Sequence, residues 1–210
     1  INHTRYEHVI TIEDPIEYDI DGINQIQVNP KTNLNFSQGL RAIIRQNPDI
    51  IMVGEIRDEE TAKLAINAAM TGHLVLSTFH ATDSPTTLIR LQDMGIESFL
   101  ITSTINIIIS QRLVRKICPK CIESYEIPFS EISKMLGPQL TYQLSRIKEE
   151  KIHLFRGRGC SLCRNTGYLG RTGIFEVLEM TDPIKRLVTK RADTTRIRDE
   201  AQKIGLTTMI

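Results

Sequence analysis

The sequence predicts an α/β fold, a mostly parallel sheet flanked by helices, with a small four-cysteine subdomain and a C-terminal helical region. Three observations predict it. Short apolar or β-rich runs alternate with amphipathic stretches up to about residue 115, each run closes on polar residues, and the pattern then gives way to two Cys-x-x-Cys pairs. The expected divisions are a core over residues 1–115, a cysteine subdomain over 116–172 and a helical region over 173–210.

The elements follow in order. Val9 to Glu13 is β-rich and ends in carboxylates. Tyr18 to Val28 reads as two short strands around Asp21-Gly22, a hairpin turn signal. Phe36 to Gln46 reads as a helix with Leu40, Ile43 and Ile44 on one face, stopped by Asn47-Pro48. Ile50 to Val53 is fully apolar, the kind of strand buried in a parallel sheet. Asp58 to Met70 is an Ala-rich helix with Asp58, Glu59 and Glu60 at its positive end, closed by Gly72. His73 to Thr78 reads as another buried strand, followed by helices from about Ser84 to Met94 and from about Glu97 to Val114. A polar helical stretch, Gln139 to Lys151, and a glycine-rich run, Arg156-Gly157-Arg158-Gly159, fall in the cysteine region. Two amphipathic helices, Asp182 to Arg191 and Thr194 to Ile204, end the chain.

Composition is that of an ordinary globular protein, with 40% hydrophobic and 24% charged residues. With 26 basic and 25 acidic residues the net charge is +1, so no global field draws the chain to nucleic acid. The apolar run Ile105 to Ile109 is interrupted by Asn106 and followed by Gln111 and Arg112, too short and polar to span a membrane. Nothing resembling a secretory signal precedes the first strand. Ile1 and Ile210 are expected to be cut ends of a longer chain.

Three segments place polar groups at the exits of apolar strands, where open α/β sheets bind ligands. In Val9-Ile10-Thr11-Ile12-Glu13-Asp14-Pro15 two adjacent carboxylates can polarise a water or help hold a metal ion; alternatively they are solvated acids opening a turn. Ile50-Ile51-Met52-Val53-Gly54-Glu55 has the form of a Walker B strand, because Mg²⁺ needs a hard oxygen ligand beside the phosphates. Gly54 permits close backbone approach, and Arg57 shares a side with Glu55, where it can equally form a plain salt bridge. His73 and His80 bracket the third strand, and histidine can contact a γ-phosphate or serve as a satisfied structural group. Together the three look like the floor of a nucleotide site. The phosphate-binding pattern Gly-x-x-x-x-Gly-Lys-[Ser/Thr] does not occur in the 210 residues, so the chain alone is expected to bind nucleotide poorly.

These residues carry a resemblance. Ile10 to Glu17, Arg45 to Asp58 and Thr71 to His80 resemble the aspartate, Walker B and histidine boxes of the traffic ATPases of type II secretion and type IV pilus systems. The resemblance implies a RecA-like core working as a homo-hexameric ring, with ATP and Mg²⁺, on the cytoplasmic side of the inner membrane. It implies peripheral association through an inner-membrane platform protein, and an upstream phosphate-binding loop missing here by truncation. By position it makes Glu13 the residue that activates the attacking water, Glu55 the acid supporting Mg²⁺ and His80 the γ-phosphate contact. Asp14, Arg57 and His73 join the site as binding and organising groups. Arg41, Arg45, Arg90 and Arg112 are open candidates for acting across subunits.

Cys118-Pro119-Lys120-Cys121 and Cys160-Ser161-Leu162-Cys163 form a four-thiolate signal for structural Zn²⁺. The 38 residues between the pairs exceed a minimal zinc ribbon, so an insertion must fold between them. A redox Cys-x-x-Cys is the competing reading, and the presence of two pairs argues against it. The resemblance agrees, since assembly-type members carry a tetracysteine subdomain and retraction motors generally lack it. Arg156, Arg158, Arg164 and Arg171 with Phe155 and Tyr168 also allow a nucleic-acid-binding zinc module, and a non-catalytic zinc-stabilised scaffold is the other rival. The acids and histidines favour the motor over the scaffold, and the balanced charge disfavours nucleic acid.

Overall fold

The computed structural model describes residues 7–135 and 151–209. The polar helix expected over Gln139 to Lys151 lies outside the described residues, except that Lys151 begins a strand. The chain divides into two compact units, one from Ile1–Ser110 and Glu176–Thr207, the other from Gln111–Phe175 and Thr208–Ile210.

The first unit contains β1 (Val9–Glu13), β2 (Asn24–Gln27), α1 (Phe36–Ile44), β3 (Ile50–Val53), α2 (Glu59–Met70), β4 (Leu74–Ser77), α3 (Ser84–Asp93) and α4 (Ser98–Thr104). The chain leaves it within β5 (Ile107–Ile117), and the second unit continues with β6 (Ile122–Pro128), α5 (Phe129–Met135) and β7 (Lys151–Gly157). It re-enters the first unit within β8 (Tyr168–Glu179), which pairs with β5, and finishes in α6 (Asp182–Thr189) and α7 (Thr194–Lys203).

The sheet of the first unit has the order β2-β1-β3-β4 with every pairing parallel, as expected for the α/β class. Its register sets Ile12 beside both Ile26 and Val53, and Val53 beside Ser77. The carboxyl ends of β1, β3 and β4 therefore come out along one edge, which positions the site. Helices α1, α2 and α3 each start on a side-chain cap that satisfies an otherwise orphaned backbone N–H. Asn35 accepts from Gln38 N at 2.8 Å, Asp58 from Thr61 N at 2.8 Å and Asp83 from Thr86 N at 2.9 Å.

Two apolar clusters fill this unit. Ile10 and Ile12 of β1 and Ile51 and Val53 of β3 pack with Leu40 and Ile43 of α1 and Ala65 and Ala68 of α2. The second cluster joins Ala62 and Ile66 of α2 to Leu88, Ile101, Leu178, Ile184, Val188 and Ile197. The tail helices α6 and α7, expected as a region of their own over 173–210, thus share a core with α2, α3 and α4.

Three elements differ from expectation. Tyr18 to Val28 is not a hairpin. Asp21-Gly22 does turn, but only Asn24–Gln27 is a strand, and it lies parallel to β1. The Gln25 side chain replaces the missing ladder, accepting from Ile20 N at 2.8 Å and donating to Tyr18 O at 3.0 Å. Second, the helix expected over Glu97 to Val114 ends at Thr104, and Ile107 onward is β5. Ile105, Ile107, Ile108 and Ile109 are β-branched and favour the pleated backbone, and exposure alternates residue by residue from Ile107 to Ser110. Third, β4 is an edge strand among the described residues and is not buried, with Leu74 51% exposed.

Asp83 joins two ends of this unit, capping α3 and pairing with Arg198 of α7 at 2.8 Å. Burial raises its pKa, but hydrogen bonds from Thr86 and the Arg198 guanidinium outweigh burial and leave it below the ordinary 3.8. A depressed folded pKa contributes stability above the ordinary value that is lost as pH falls through the folded value. Asp83→Ala is expected to cost about 1–2 kcal/mol in urea unfolding at neutral pH, with the deficit shrinking below about pH 4.

Candidate functional site

Glu13 ends β1 half-buried, and one of its oxygens is fixed from two sides. Thr11, two residues back on the same side of the strand, donates to Oε1 at 2.6 Å, and Gln25 Nε2 of β2 donates to the same atom at 2.9 Å. Asp14 beyond it is exposed, and its charge reaches the Arg57 guanidinium.

Glu55 lies just past β3. Gly54 carries the backbone there, its N–H donating to Ile12 O at 2.7 Å. A Cβ on Gly54 would stand 3.1 Å from that oxygen and 3.3 Å from Glu13 Cα, so glycine is what lets the two strand exits lie this close. Beyond the strands, Ile56 N bonds Thr78 O at 3.1 Å and Thr78 Oγ1 bonds Gly54 O at 2.6 Å, which ties the Glu55 loop to the segment after β4.

The Glu55 side chain is only 13% exposed. Oε1 pairs with Arg57 at 2.6 Å and Oε2 with His80 Nε2 at 3.0 Å. The Arg57 guanidinium first, then His80, hold its carboxyl below the usual glutamate value against the opposing effect of burial. His80 itself is exposed and its carbonyl accepts from Arg90. Glu55, Arg57 and His80 thus form one contact network, and Glu13 sits at the neighbouring strand exit.

His73 lies elsewhere. It precedes β4 at the amino edge of the sheet, where Nδ1 bonds Ala68 O at 2.8 Å and lies 3.1 Å from Thr71 Oγ1, closing the end of α2. The two histidines bracket the strand and so stand at its opposite ends. Of the arginines considered for action across subunits, Arg41 pairs with Glu60 at 2.9 Å and Arg90 holds the His80 carbonyl. Thr11, Gln25 and Thr78 were not foreseen as site residues. Their partners are backbone groups or sit on other strands, and only the period-two relation of Thr11 to Glu13 is visible in sequence.

In the second unit the four cysteines converge, with all sulfurs within 4.8 Å of one another. Cys118 and Cys160 are 3.9 Å apart, Cys121 and Cys163 3.9 Å, and Cys160 and Cys163 3.7 Å. A tetrahedral ion with Zn–S bonds of about 2.3 Å requires sulfur separations of about 3.8 Å, so the donor set fits Zn²⁺ in geometry and chemistry. Burial raises the Cys163 thiol, but backbone N–H groups of Cys160 and Gly167 outweigh it and hold the pKa at about 6, whereas burial pushes Cys121 up to about 12. The backbone donors thus favour the thiolate form of Cys163, the form in which cysteine ligates a metal ion.

The cluster depends on two glycines that touch. A Cβ on Gly157 would meet the Gly167 carbonyl oxygen at 2.1 Å, and that oxygen is fixed by Cys118 N at 2.9 Å. Of the basic residues flanking the second pair, Arg156 binds Glu123 at 2.7 Å and stacks over Tyr125 at 5.0 Å, and Arg158 also binds Glu123. Their charge is used inside the β6–β7 hairpin. Two outcomes are expected for the cysteine site. Cys160→Ser abolishes stoichiometric zinc in metal analysis of the purified protein. Gly157→Ala, which alters no ligand, lowers zinc retention against a chelator by at least about tenfold, because the carbonyl that positions Cys118 is displaced.

The family described as "Type II/IV secretion system protein" matches the chain over residues 1–210. The type II secretion system ATPase E of Vibrio cholerae is 46% identical, covering 92% of this chain and 39% of that protein. The type IV pilus assembly ATPase PilB of Thermus thermophilus is 45% identical, covering 95% of this chain and 22% of its own length. A crystal structure of the pilus retraction motor PilT with bound ADP is similar in fold, with a TM-score of 0.59, 27% identity, and coverage of 97% of this chain and 50% of that one. The chain thus spans between about a fifth and two fifths of these curated relatives. With the family match running from end to end and strand-exit acids set along one sheet edge, the chain belongs to the type II/IV secretion system protein family.

Proposed function

We propose that this chain is the hydrolytic part of an ATP-driven motor that assembles pilin-like subunits in a type II secretion, type IV pilus or competence system. The observation that carries the reading is Glu55, an acid held anionic at 13% exposure beside the exit of β1 and contacted by His80 at 3.0 Å. On this reading residues 1–115 are the ATPase core, 116–172 the zinc subdomain and 173–210 the helices completing the core. The named relatives, an ATPase of type II secretion and one of pilus assembly, support it.

Each residue then has a task. Glu13 takes the proton from the attacking water. Glu55 would hold Mg²⁺ through its hard carboxylate oxygens, and the ion would supply neutralisation of phosphate charge. Arg57 and His80, 63% and 79% exposed, lie on the solvent side of Glu55, where they can turn towards phosphate oxygens. His80 is the γ-phosphate contact, and Arg57 with Asp14 organises the mouth of the site. His73, at the far end of β4, keeps the α2–β4 turn in place and stands apart from the Glu55 network. Phosphate-cradling backbone groups are not supplied by a Gly-x-x-x-x-Gly-Lys-[Ser/Thr] motif within these 210 residues, so turnover needs the longer protein and the fragment alone is inactive.

The working form is a homo-hexamer on the cytoplasmic side of the inner membrane, docked on a platform protein. No described helix is long and apolar enough to cross a membrane, so association through a partner suits it. In the full-length protein, Glu13→Gln should leave ATP affinity within about twofold by calorimetry and lower steady-state hydrolysis by at least about a hundredfold. Undiminished phosphate release by that variant would remove Glu13 from the chemistry.

A further inference from the structure

Resting on the assignment of Glu13 as the base, we infer that Gln25 is a positioning residue that aims the Glu13 carboxylate and couples it to the Tyr18–Ile20 loop. Both donors to Glu13, Thr11 Oγ1 at 2.6 Å and Gln25 Nε2 at 2.9 Å, bond Oε1. Among the described residues Oε2 has no hydrogen-bond partner. Two bonds on one oxygen fix the rotation of a carboxylate and leave the other oxygen to accept a proton.

The two donors are not equivalent. Thr11 precedes Glu13 on the same strand, is 4% exposed, and is set by the strand itself. Gln25 comes from the neighbouring strand, aligned with Thr11 in the parallel register. Its amide is used on three sides. Nε2 donates to Glu13 and to Tyr18 O at 3.0 Å, and Oε1 accepts Ile20 N at 2.8 Å. This pattern admits one amide orientation only, because the two acceptors need the nitrogen and the backbone N–H needs the oxygen. The loop it holds is exposed, with Tyr18 at 79% and Ile20 at 48%. Gln25 therefore links an exposed loop to the carboxylate through a single rigid group. A displacement of Tyr18–Ile20 is transmitted to the Glu13 rotamer without passing through the core.

The experiment uses the full-length protein and steady-state ATP hydrolysis. Gln25→Glu is nearly isosteric and keeps an acceptor for Ile20 N, but it replaces the donor to Glu13 with a second carboxylate. Gln25→Leu removes both functions. In each variant kcat is expected to fall on the order of ten- to a hundredfold with KM for ATP within about twofold, because aim is lost and binding is not. In Gln25→Glu the acidic limb of the kcat profile also moves up by about one pH unit or more, since two facing carboxylates share a proton. Thermal unfolding within a few degrees of the parent for Gln25→Glu separates this from misfolding. A kcat within twofold of the parent in both variants overturns the inference, as does a loss that lies wholly in KM. The Glu13→Gln variant run alongside distinguishes the two claims. If it hydrolyses ATP normally, the base assignment fails; if it is inactive while the Gln25 variants are normal, only the positioning role fails.

Discussion

Helix α2 is packed on two sides, and the rest of the first unit is arranged around that constraint. Ala65 and Ala68 lie in the cluster with β1, β3 and α1, whereas Ala62 and Ile66 lie in the cluster with α3, α4 and the tail helices. An alanine side chain loses no rotamer freedom on burial and lets neighbouring backbones approach, so an Ala-rich helix can serve two cores at once. Larger side chains at these positions would overpack one of them, at about 1–3 kcal/mol each. The helix also joins the two loops that matter. Its N-cap Asp58 follows Glu55 and Arg57, and its C-terminal turn is closed by Thr71 and His73 before β4. Helix α2 thus spans from the Glu55 loop to the turn before β4.

This explains which parts of the fold were legible. The parallel core showed in its apolar strands because Ile10, Ile12, Ile51 and Val53 are fully buried and tolerate nothing polar. The helices showed in their caps and periodicity. What failed was decided by tertiary partners. Asp21-Gly22 is a genuine turn, but the residues before it bond a glutamine side chain where a second strand would otherwise supply the ladder. Ile105 to Val114 reads as helix when counted by apolar content alone. Its isoleucines instead favour strand, and the partner β8 lies some sixty residues away in sequence, where local pattern has no view of it.

The two sites were legible to different depths. For the cysteines, spacing alone gave the donor set, since a Cys-x-x-Cys turn brings two sulfurs to one point and four thiolates have one common use in a reducing setting. Gly157 was noted as part of a run, with no reason attached, and Gly167 was not noted. The reason is pairwise: Gly157 and Gly167 must both lack a side chain for two backbones to cross, and one sequence shows neither the crossing nor the partner. At the strand exits, the acids and His80 were visible because polar residues after apolar strands are conspicuous. His73 was singled out only because it and His80 bracket one strand, and a pair that brackets a strand has one histidine at each edge of the sheet, so His73 lies away from the Glu55 network.

On the proposed function the two glutamates take different tasks at one sheet edge. Glu55 is engaged on both oxygens by groups that carry or can carry positive charge, a guanidinium at 2.6 Å and an imidazole at 3.0 Å. Such a carboxylate stays anionic and has its geometry set by charge, which suits holding a cation. Glu13 is engaged on one oxygen by a hydroxyl and an amide, both neutral donors. These orient it without the charge pairing that holds Glu55, and leave its second oxygen open for proton transfer. Paired acids in different surroundings take different roles, and here the difference follows from what the adjoining strands contribute. β2 brings an amide to the exit of β1, and the loops after β3 and β4 bring an arginine and a histidine to Glu55. On that reading the division of labour resides in what surrounds each acid, a neutral amide across the β1–β2 register at Glu13, and an arginine and a histidine from the loops after β3 and β4 at Glu55.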